Sequence, residues 1–452
     1  MNSPTEFSRR TAKPPFAEDR RPEPPADDQK SMRKPSMPGK PANLKTPMIP
    51  VVEYARRRDR VLSMLRKGGQ KPIALVHAGD SDAALHGAYR PHPHFEYLTG
   101  IVDEPGAILL FDASAPAGRE CTLLLQSLDP EVEKWDGLRE EIGSPLKAAY
   151  GIAQIARLPR LARVLDGCLA RTRSCACLHP FGWLGQAVSP DLAVFRQLEE
   201  RYPGIEIQDR TALLARMRSV KSKAEQKMIR EAVEISRIGY DAMFRTVEPG
   251  MTEWDVMETL EHGYRANGSR GPGYNTIVGA GINGTVLHYV ANKETLAPDD
   301  LIVIDSGADY RGYTADVTRT IPANGKFAPR QREIYELVLK ALEASIKVAT
   351  VGATMAKIDK ASRDIISKAG YGDRFFHGIG HHLGLEVHDI TPEGSLKEGA
   401  VITIEPGIYL EDEKLGVRIE DDVLITRDGP VVLTRDIPKT VAAVERAMAD
   451  RG

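Results

Sequence analysis

The sequence predicts a protein of mixed α/β (α+β) class, in which a tail precedes two folded domains. Short apolar runs of strand character are mixed with longer segments of helical periodicity. In the second half of the chain, an order of helix, glycine turn and helix recurs after about 102 residues, which indicates two related halves. A length of 452 residues agrees with two or three domains.

The composition is that of a water-soluble globular protein, with 42% hydrophobic and 27% charged residues and a formal net charge of −2. A nearly neutral chain has no bulk attraction to nucleic acid or to an anionic membrane, and no apolar run reaches the roughly 18 residues of a membrane span. We therefore expect neither partner, and a cytoplasmic location in which the cysteines stay as free thiols. The cysteines are Cys121, Cys168, Cys175 and Cys177.

Residues 1–50 have the composition of a disordered, proline-rich tail. Prolines are dense, charges of both signs are mixed and apolar residues are few. The segment lacks the apolar core of a secretion signal, and its acidic residues disfavour an organelle transit peptide. We expect a passive tail, with docking of a partner as the alternative.

Residues 51–210 are predicted to form the first domain, an α/β layer structure. It opens with a helix over Tyr54–Arg66. The arginines expected on the solvent face of this helix are Arg56, Arg57, Arg58 and Arg60. Further strands are predicted at Pro72–Val76, Ala107–Phe111 and Cys121–Leu125, and helices at Ile155–Leu165 and Leu192–Arg201. His92 and His94 flank a proline without nearby carboxylates, so we interpret them as ordinary loop histidines rather than metal ligands.

Residues 211–452 are predicted to form the second domain, built from two similar α/β halves around a sheet. A long helix starts at the capping box of Ser222 and Glu225, and Thr252 is placed to cap the helix that follows. The predicted helix pairs span 222–245 and 252–267 in the first half, and 330–349 and 354–369 in the second. We expect a site where the halves meet.

Two predicted hairpins collect acidic residues. In the stretch Val303–Thr320, one apolar run ends in Asp305 and a second run arrives at Asp316. A hairpin centred on Tyr310 and Arg311 would set the two carboxylates opposite each other, roughly 5 Å apart at Cβ, where like charges repel and burial adds a desolvation cost. A divalent cation between them would turn repulsion into attraction, whereas an exposed hairpin would leave both in water.

The stretch Val401–Asp422 repeats this arrangement with glutamates. One apolar run ends in Glu405, the return strand ends in Glu420, and the polar turn between them, Glu411–Gly416, ends in glycine as hairpin turns commonly do. Two hairpins that each collect two carboxylates are hard to explain as solvated surface. Four carboxylates around one site are hard oxygen ligands for divalent metal, and two ions are expected.

Histidines add to the candidate site in both halves. His377, His381 and His388 lie within a dozen residues, among glycines that allow close approach to a ligand. The first half contributes His288, on a predicted strand within Tyr274–Tyr289, where it could face either side of the sheet. Three histidines in a glycine-rich segment favour a functional cluster over a structural one.

Five of these residues resemble, in order and spacing, the metal-ligand pattern of the pita-bread metallopeptidases, a group that includes Xaa-Pro aminopeptidases, prolidases and methionine aminopeptidases. The similarity covers roughly Val51 to the C-terminus and is closest to bacterial Xaa-Pro aminopeptidases. One departure is His94, which stands where some relatives have an acidic residue. The five residues are Asp305, Asp316, His381, Glu405 and Glu420. The segments that carry the resemblance are YNTIVGAGINGTVLHY, DSGADYRGYTADVTRTIP, HGIGHHLGLEVHD, EPGIY, GVRIEDD and, in the first domain, FEYLTGIVDEPGAILL.

The resemblance implies two divalent ions per subunit, most consistent with Mn²⁺ because the ligands are rich in carboxylates. Asp305 would bind the first ion, and Asp316 and Glu420 would bridge the two. His381 and Glu405 would complete the second site. The ions would lower the pKa of a shared water to near neutral, and Glu405 would carry its proton to the leaving proline nitrogen.

The resemblance also implies contacts with a peptide substrate. His388 and His288 would hydrogen-bond the scissile carbonyl as its oxygen gains charge. His377 and Arg418 would position the substrate. Tyr409 would line the pocket that recognises the proline ring.

The implied activity is removal of an N-terminal residue that precedes proline. Prolidase shares the fold and ligands but cleaves only dipeptides. Many prolidases carry a longer insertion with an arginine between the two metal glutamates. In this sequence the turn 411–416 is short, and its one basic residue is Lys414. A metal-free creatinase-like or peptide-binding relative would have lost carboxylate ligands, which are all present. By analogy the protein is expected to be a homo-oligomer, a dimer or a tetramer, in which Trp135 reaches a neighbouring subunit.

Overall fold

The structure is a computed structural model in which residues 49–67, 69–80 and 89–450 are described. The predicted tail, residues 1–50, lies almost wholly outside them. The described α-helices are α1 (Val51–Leu65), α2 (Pro93–Thr99), α3 (Pro130–Asp136), α4 (Ser144–Tyr150), α5 (Leu161–Leu169), α6 (Pro190–Arg201), α7 (Ala212–Arg218), α8 (Lys223–Thr246), α9 (Glu253–Ala266), α10 (Pro329–Val348), α11 (Met355–Lys368) and α12 (Val441–Ala449). The described β-strands are β1 (Ile73–His77), β2 (Ile108–Asp112), β3 (Cys121–Leu125), β4 (Gln154–Arg157), β5 (Ser174–Cys177), β6 (Glu206–Asp209), β7 (Ile277–Ala280), β8 (Leu301–Asp305), β9 (Asp309–Tyr310), β10 (Tyr313–Thr314), β11 (Thr318–Pro322), β12 (Val401–Ile404), β13 (Gly407–Leu410), β14 (Leu415–Arg418), β15 (Asp421–Thr426) and β16 (Gly429–Val432).

The first part of the chain is organised around a mixed sheet with the strand order β4-β3-β2-β1-β5-β6. β1 to β3, found where they were predicted, pair antiparallel, and the remaining pairs are parallel. The helix predicted over 155–165 is wrong at its start, because this segment begins as the edge strand β4 and α5 begins only at Leu161. A 3-10 turn, Leu158–Arg160, separates this strand from the helix, and Pro159 suits it because the first turn of a helix tolerates a residue without an N–H.

The solvent-facing arginines expected on α1 are a second correction. Two of the four are exposed, but Arg57 and Arg58 are buried. They donate to the carbonyl oxygens of Tyr97 and Leu98, both at 2.9 Å, and Arg57 also lies 3.1 Å from Glu225 of α8. Carbonyls in the last turn of a helix such as α2 lack partners within it and carry partial negative charge, so they attract cations. The two arginines therefore join α1 to the rest of the protein.

The helix pairs that follow match the predicted repeat. α8 packs on α9 and α10 on α11, and the second helix of each pair begins at a threonine cap. The Thr252 hydroxyl accepts from the N–H of Asp255, and the Thr354 hydroxyl accepts from the N–H of Lys357, both at 3.2 Å. The predicted capping box at Ser222 is also present.

The two halves meet along β11. The first half contains the antiparallel order β7-β8-β11, and the second contains β12-β15-β16 and the hairpin β13-β14. The carbonyl oxygen of Thr318 in β11 accepts the N–H of Glu420 at 3.1 Å. Arg319, which is fully buried, donates to the carboxylate of Asp421 at 3.0 Å. These contacts bring the acidic ends of both hairpins to one junction.

The first acidic hairpin has a different register from the predicted one. Asp305 pairs with Thr318, not with Asp316, and the turn is Arg311–Gly312, not Tyr310–Arg311. Both turn residues have positive φ, 53° and 87°, and a two-residue turn of this kind favours glycine at its second position. Because side chains alternate along a strand with period two, the shift of two residues keeps Asp316 on the same face as Asp305. The carboxylates still converge.

The second acidic hairpin pairs Gly407 with Arg418 and Leu410 with Leu415, and it projects Glu405 and Glu420 from its open end. Its turn is shorter than expected: it closes at Lys414, with φ 50°, and Gly416 lies within β14. A Cβ on that glycine would stand 1.9 Å from the carbonyl oxygen of Gly284. Glycine is therefore required there by close packing against the first half, not by the turn.

Two further observations concern the cysteines and the apolar character of the helices. The four cysteines are free, as expected, and three of them are buried. Among the described residues, no helix combines the length and the apolar character needed to cross a membrane.

Glu96 of α2 is a buried acid that lies against the first acidic hairpin. A Cβ placed on Gly312 in the hairpin turn would stand 2.3 Å from its Oε1. Burial, with repulsion from Asp309, raises the pKa of Glu96 to about 7, against the opposing charges of Arg90 and Arg270. The folded protein therefore keeps this proton at pH values where the unfolded chain has lost it.

The free energy of unfolding of the wild type should fall as pH rises from 4.5 to about 7, because Glu96 loses its proton in this range. We predict that Glu96→Gln abolishes this decrease. An acid whose pKa is raised in the folded state contributes its full stability below its unfolded pKa and loses it as pH rises to the folded value. The difference amounts to ~3 kcal/mol. The free energy of unfolding of the variant, from urea denaturation, should match the wild type at about pH 4 and exceed it at about pH 8.

The matched control is Glu131→Gln, because the Glu131 side chain is 81% exposed on α3. This control should keep the pH dependence of the wild type. If the curve of Glu96→Gln runs parallel to that of the wild type over this range, Glu96 does not hold its proton in the folded state.

Candidate active site

A pocket of about 430 Å³ opens at the junction of the two halves. Its wall combines the ends of both acidic hairpins, the loop before β8 and the glycine-rich histidine segment. The predicted site residues in this wall are His288, Asp305, Asp316, His377, His381, His388, Glu405, Arg418 and Glu420. The structure thus brings together nine of the ten predicted residues, and Tyr409 is the exception.

The two aspartates of the first hairpin share one hydroxyl group. Tyr274 lies between them, with its hydroxyl oxygen 2.7 Å from Asp305 Oδ1 and 2.5 Å from Asp316 Oδ1. A phenol has a single proton to donate, so it cannot satisfy two ionised carboxylates at once. Sequence reasoning missed this role, because a lone tyrosine before a predicted strand carries no chemical signal of its own.

Asp316, His381 and Glu420 form a group of potential metal ligands. One donor atom from each of them lies within 4.8 Å of the other two. His381 Nε2 is 3.4 Å from Asp316 Oδ2 and 3.8 Å from Glu405 Oε1, which adds a fourth group. Carboxylate and imidazole donors together suit divalent ions such as Mn²⁺.

Three of the ligand candidates are oriented by hydrogen bonds with neighbouring groups. Arg418 Nη2 donates to Asp305 at 2.8 Å, and the Thr318 hydroxyl donates to Glu420 at 2.7 Å. His381 Nδ1 lies 3.0 Å from the carbonyl oxygen of the next residue, to which it donates. This hydrogen bond turns Nε2 toward the carboxylates, where it would bind a metal ion as the nitrogen of a neutral imidazole.

Burial and mutual repulsion shift Glu405, Asp305 and Glu420 toward their protonated forms. Burial raises the pKa of Glu405 to about 7, raises that of Asp305 and raises that of Glu420 well above its ordinary range, and neighbouring carboxylates add to each shift. Although burial alone would lower it, the hydrogen bond to Asp316 raises the pKa of His381 to about 9. A bound divalent cation would reverse these shifts by stabilising ionised carboxylates and a neutral imidazole. The donor set therefore fits a metal centre.

His377 and Arg418 are linked through Tyr409, which lies behind the pocket wall. The Tyr409 hydroxyl lies 2.9 Å from His377 Nε2 and accepts from Arg418 Nη1 at 3.1 Å. Burial, with the charge of Arg418, lowers the pKa of His377 to about 4, so that its ring is neutral. With 1% of its surface exposed, Tyr409 does not line the pocket as expected. Its hydrogen bonds hold it in the interior, where it supports two pocket residues.

His388 extends the histidine side of the pocket. Its ring packs edge-on against that of His381, with the ring centroids 4.2 Å apart. Burial lowers the pKa of His388. A neutral imidazole of this kind can donate one hydrogen bond to a group in the pocket.

His288 lies in a turn that follows the 3-10 segment Gly281–Thr285, not on the strand that was predicted. The buried carboxylate of Glu253 holds this segment as a loop. It accepts from Asn283 Nδ2 at 3.0 Å and from the Tyr289 hydroxyl at 2.9 Å. These polar contacts replace the strand pairing that the apolar residues around His288 suggested.

His92 and His94 lie outside the pocket; His92 precedes α2, in keeping with a loop residue, whereas His94, contrary to expectation, lies within this helix. His92 Nδ1 accepts the N–H of His94 at 3.1 Å and caps α2, within which His94 is fully buried. Pro93 starts the helix, because its fixed φ suits the first helical position. Within the described residues, neither histidine belongs to a group of three closely spaced ligand atoms.

Two protein-family models match the chain. The model described as metallopeptidase family M24 matches residues 227–427, and the model described as the aminopeptidase P N-terminal domain matches residues 54–176. The first of these ranges contains the whole pocket wall.

Related proteins are similar over nearly their full length. The chain is 32% identical to the Xaa-Pro aminopeptidase of Haemophilus influenzae over 439 residues, which cover 88% of this chain and 98% of the relative. It is 31% identical to the Xaa-Pro dipeptidase of Pyrococcus horikoshii over 381 residues, which cover 83% and 98%. The solved structure of Pseudomonas aeruginosa aminopeptidase PepP matches with a TM-score of 0.79 at 32% identity, covering 89% and 98% of the two chains.

We predict that Tyr274→Phe weakens binding of Mn²⁺ by about tenfold or more, because groups that orient metal ligands commonly contribute 10- to 100-fold in affinity. Isothermal titration calorimetry of the metal-stripped protein measures the change. Tyr202→Phe is the control, since the Tyr202 hydroxyl contacts Asp166 in the first domain. Equal affinities of the Tyr274→Phe variant and the wild type would show that the shared hydroxyl does not order the site.

Proposed function

Because the chain belongs to the M24 family of metallopeptidases, among its Xaa-Pro aminopeptidases with an aminopeptidase P N-terminal domain, we propose that it removes the N-terminal residue of peptides whose second residue is proline. The architecture is the pita-bread fold behind an aminopeptidase P N-terminal domain, as the sequence resemblance implied. The observation that carries the proposal is the convergence of five ligand candidates and three further histidines in one pocket. We keep residues 51–210 and 211–452 as the two domains.

The residues of the pocket would hold two divalent ions, of which Mn²⁺ suits the carboxylate-rich donors best. In this proposal Asp305 would help to hold the first ion, His381 and Glu405 the second, and Asp316 and Glu420 both. When bound, the ions would supply a water that is activated near neutral pH.

Glu405 is the group to which we assign proton transfer. Its Oε1 lies in the pocket 3.8 Å from His381 Nε2. It takes up the proton of the attacking water and passes it to the nitrogen of the leaving proline. An amide nitrogen must gain a proton to leave as an amine, and because the prolyl nitrogen has no N–H of its own, this proton becomes the N–H of the released secondary amine.

Four further residues act on the peptide. His388 and His288 donate hydrogen bonds to the scissile carbonyl oxygen as it gains charge. His377 and Arg418 position the substrate. Arg418 is held by Asp305, and it also orients that carboxylate.

The alternative function is that of a prolidase, which the similarity to a Xaa-Pro dipeptidase keeps open. A dipeptidase needs a cation to hold the carboxylate of its product. The turn of the second hairpin offers only Lys414, on a short loop between β13 and β14. This favours the aminopeptidase.

We also propose a cytoplasmic location and a homo-oligomer, a dimer or a tetramer. The Trp135 side chain is 88% exposed on α3. An exposed tryptophan fits the expected contact with a neighbouring subunit, since large apolar side chains are enriched in such contacts.

Peptide length separates the two functions. We predict that the protein with added Mn²⁺ hydrolyses a Xaa-Pro-Yaa tripeptide faster than the corresponding Xaa-Pro dipeptide, as measured by kcat/KM. Cleavage of the dipeptide alone would select prolidase and overturn the proposal.

We predict that His381→Ala lowers the Mn²⁺ content of the second site and reduces kcat/KM at least about 100-fold, since even groups behind metal ligands contribute up to that factor. Elemental analysis and tripeptide hydrolysis measure the two effects. His262→Ala is the control, because His262 is exposed on α9. Undiminished turnover of the His381→Ala variant would remove this residue from the site.

A further inference from the structure

Arg218 connects the first domain to the histidine side of the pocket, although it is not part of the pocket wall. It is the last residue of α7, and only 2% of its surface is exposed. Its guanidinium lies 3.0 Å from His94 Nδ1 and 2.7 Å from Glu386 Oε2, and it also contacts a carboxylate oxygen of Asp389.

Asp389 is the residue that follows His388, and it is held through both its side chain and its backbone. The buried carboxylate accepts from Arg218 and from the N–H of Ile390 at 2.9 Å, and it lies 3.1 Å from Lys221 Nζ. The backbone N–H of Asp389 donates to the carbonyl oxygen of His382 at 2.8 Å. Its side chain and its backbone are therefore both fixed.

The ring of His388 is part of the pocket wall, whereas the side chain of Asp389 is not. It lines the pocket and packs against the ring of His381. The location of its ring nitrogens therefore depends on where the backbone puts residue 388. That backbone is anchored one residue later, at Asp389.

We propose that Arg218 and Asp389 are positioning residues that set the location of His388 relative to the scissile carbonyl. The inference rests on the proposed function, because it takes His388 to contact that carbonyl. The pair acts through the backbone of residues 388 and 389, and neither side chain touches the substrate. A displacement of about 1 Å at a catalytic group can reduce a rate by about 10²-fold.

The ionic character of the contact supports positioning over simple stability. A buried ion pair contributes little net stability when compared with apolar packing, because both charges lose their hydration. Charge-assisted hydrogen bonds are nevertheless short and directional, so they fix the positions of the groups that they join. The bond between Arg218 and Asp389 therefore fixes the position of the backbone beside His388 more closely than apolar packing would.

His94 is the residue of the first domain that contacts Arg218. Burial holds the pKa of His94 well below its usual range, so its ring is neutral. As a neutral acceptor it fixes Arg218 Nη1 without competing with Asp389 for the positive charge. The other guanidinium nitrogen, Nη2, is the one that reaches Asp389 and Glu386.

Glu386 provides a matched control, because the same nitrogen of Arg218 contacts it. Its side chain is 45% exposed, and it lies two residues before His388. Glu386→Gln removes one anionic partner of Arg218 and leaves the anchor at Asp389 intact. Asp389→Asn and Arg218→Lys weaken that anchor.

The experiment compares these three variants in the full-length protein with Mn²⁺. For Asp389→Asn and Arg218→Lys we expect kcat on the Xaa-Pro-Yaa tripeptide to fall by about tenfold or more, with Mn²⁺ affinity unchanged within about twofold. Glu386→Gln should keep kcat within about twofold. Unchanged kcat in a folded anchor variant, or loss of kcat together with Mn²⁺ affinity, would overturn the proposal. If Asp389→Asn does not fold, Arg218→Lys, which keeps the buried charge, decides.

A double-mutant cycle tests whether the effect passes through His388. In a His388→Ala background, measured by single turnover with enzyme in excess, Arg218→Lys should reduce the rate by less than about twofold. A loss as large as in the wild-type background would assign Arg218 a separate role and overturn the inference. Wild-type protein that cleaves only the dipeptide would overturn the proposed function instead, and the cycle would then be measured with the dipeptide.

Discussion

Repulsion among buried carboxylates is the constraint on which the rest of this structure depends. Two hairpins deliver four acids to one pocket, where burial and proximity raise the pKa values of Glu405, Asp305 and Glu420. Without a cation, some of these groups must hold protons, because ionised carboxylates cannot share a desolvated site. Positive charge at the centre of the pocket changes the same arrangement from repulsive to attractive.

Neighbouring side chains hold the acids of the pocket in place by hydrogen bonds. Arg418 supports Asp305, Thr318 supports Glu420, and the fully buried Arg319 ties β11 to Asp421. Removing one partner from a buried ion pair such as that of Arg319 commonly costs about 3–5 kcal/mol. This ion pair therefore holds β11 and Asp421 together at the junction of the halves. Arg218 is a second buried cation of this kind, and it fixes the carboxylate of Asp389, the residue that follows His388 of the pocket wall.

The sequence predicts those features that are encoded locally. Apolar runs ending in acids, threonine caps and the histidine spacing are each contained in a few neighbouring residues. The hairpin register was wrong, because it depends on which two residues adopt positive φ, and Arg311–Gly312 does so. The burial of Arg57 and Arg58 was missed, because their carbonyl partners lie 40 residues away. Contacts of this range leave no periodic signal, and the shared hydroxyl of Tyr274 belongs to the same class.

The central claim is that cations make the closeness of the acids tolerable, and calorimetric titration of the metal-stripped, full-length protein with Mn²⁺ tests it most directly. The titration is run near pH 7 in two buffers of different ionisation enthalpy, so that proton exchange is measured with binding. We predict that two ions bind per chain and that protons are released, because carboxyl groups with raised pKa values and His381 give up protons to the ions. Absence of binding, or binding without proton release, would contradict the account.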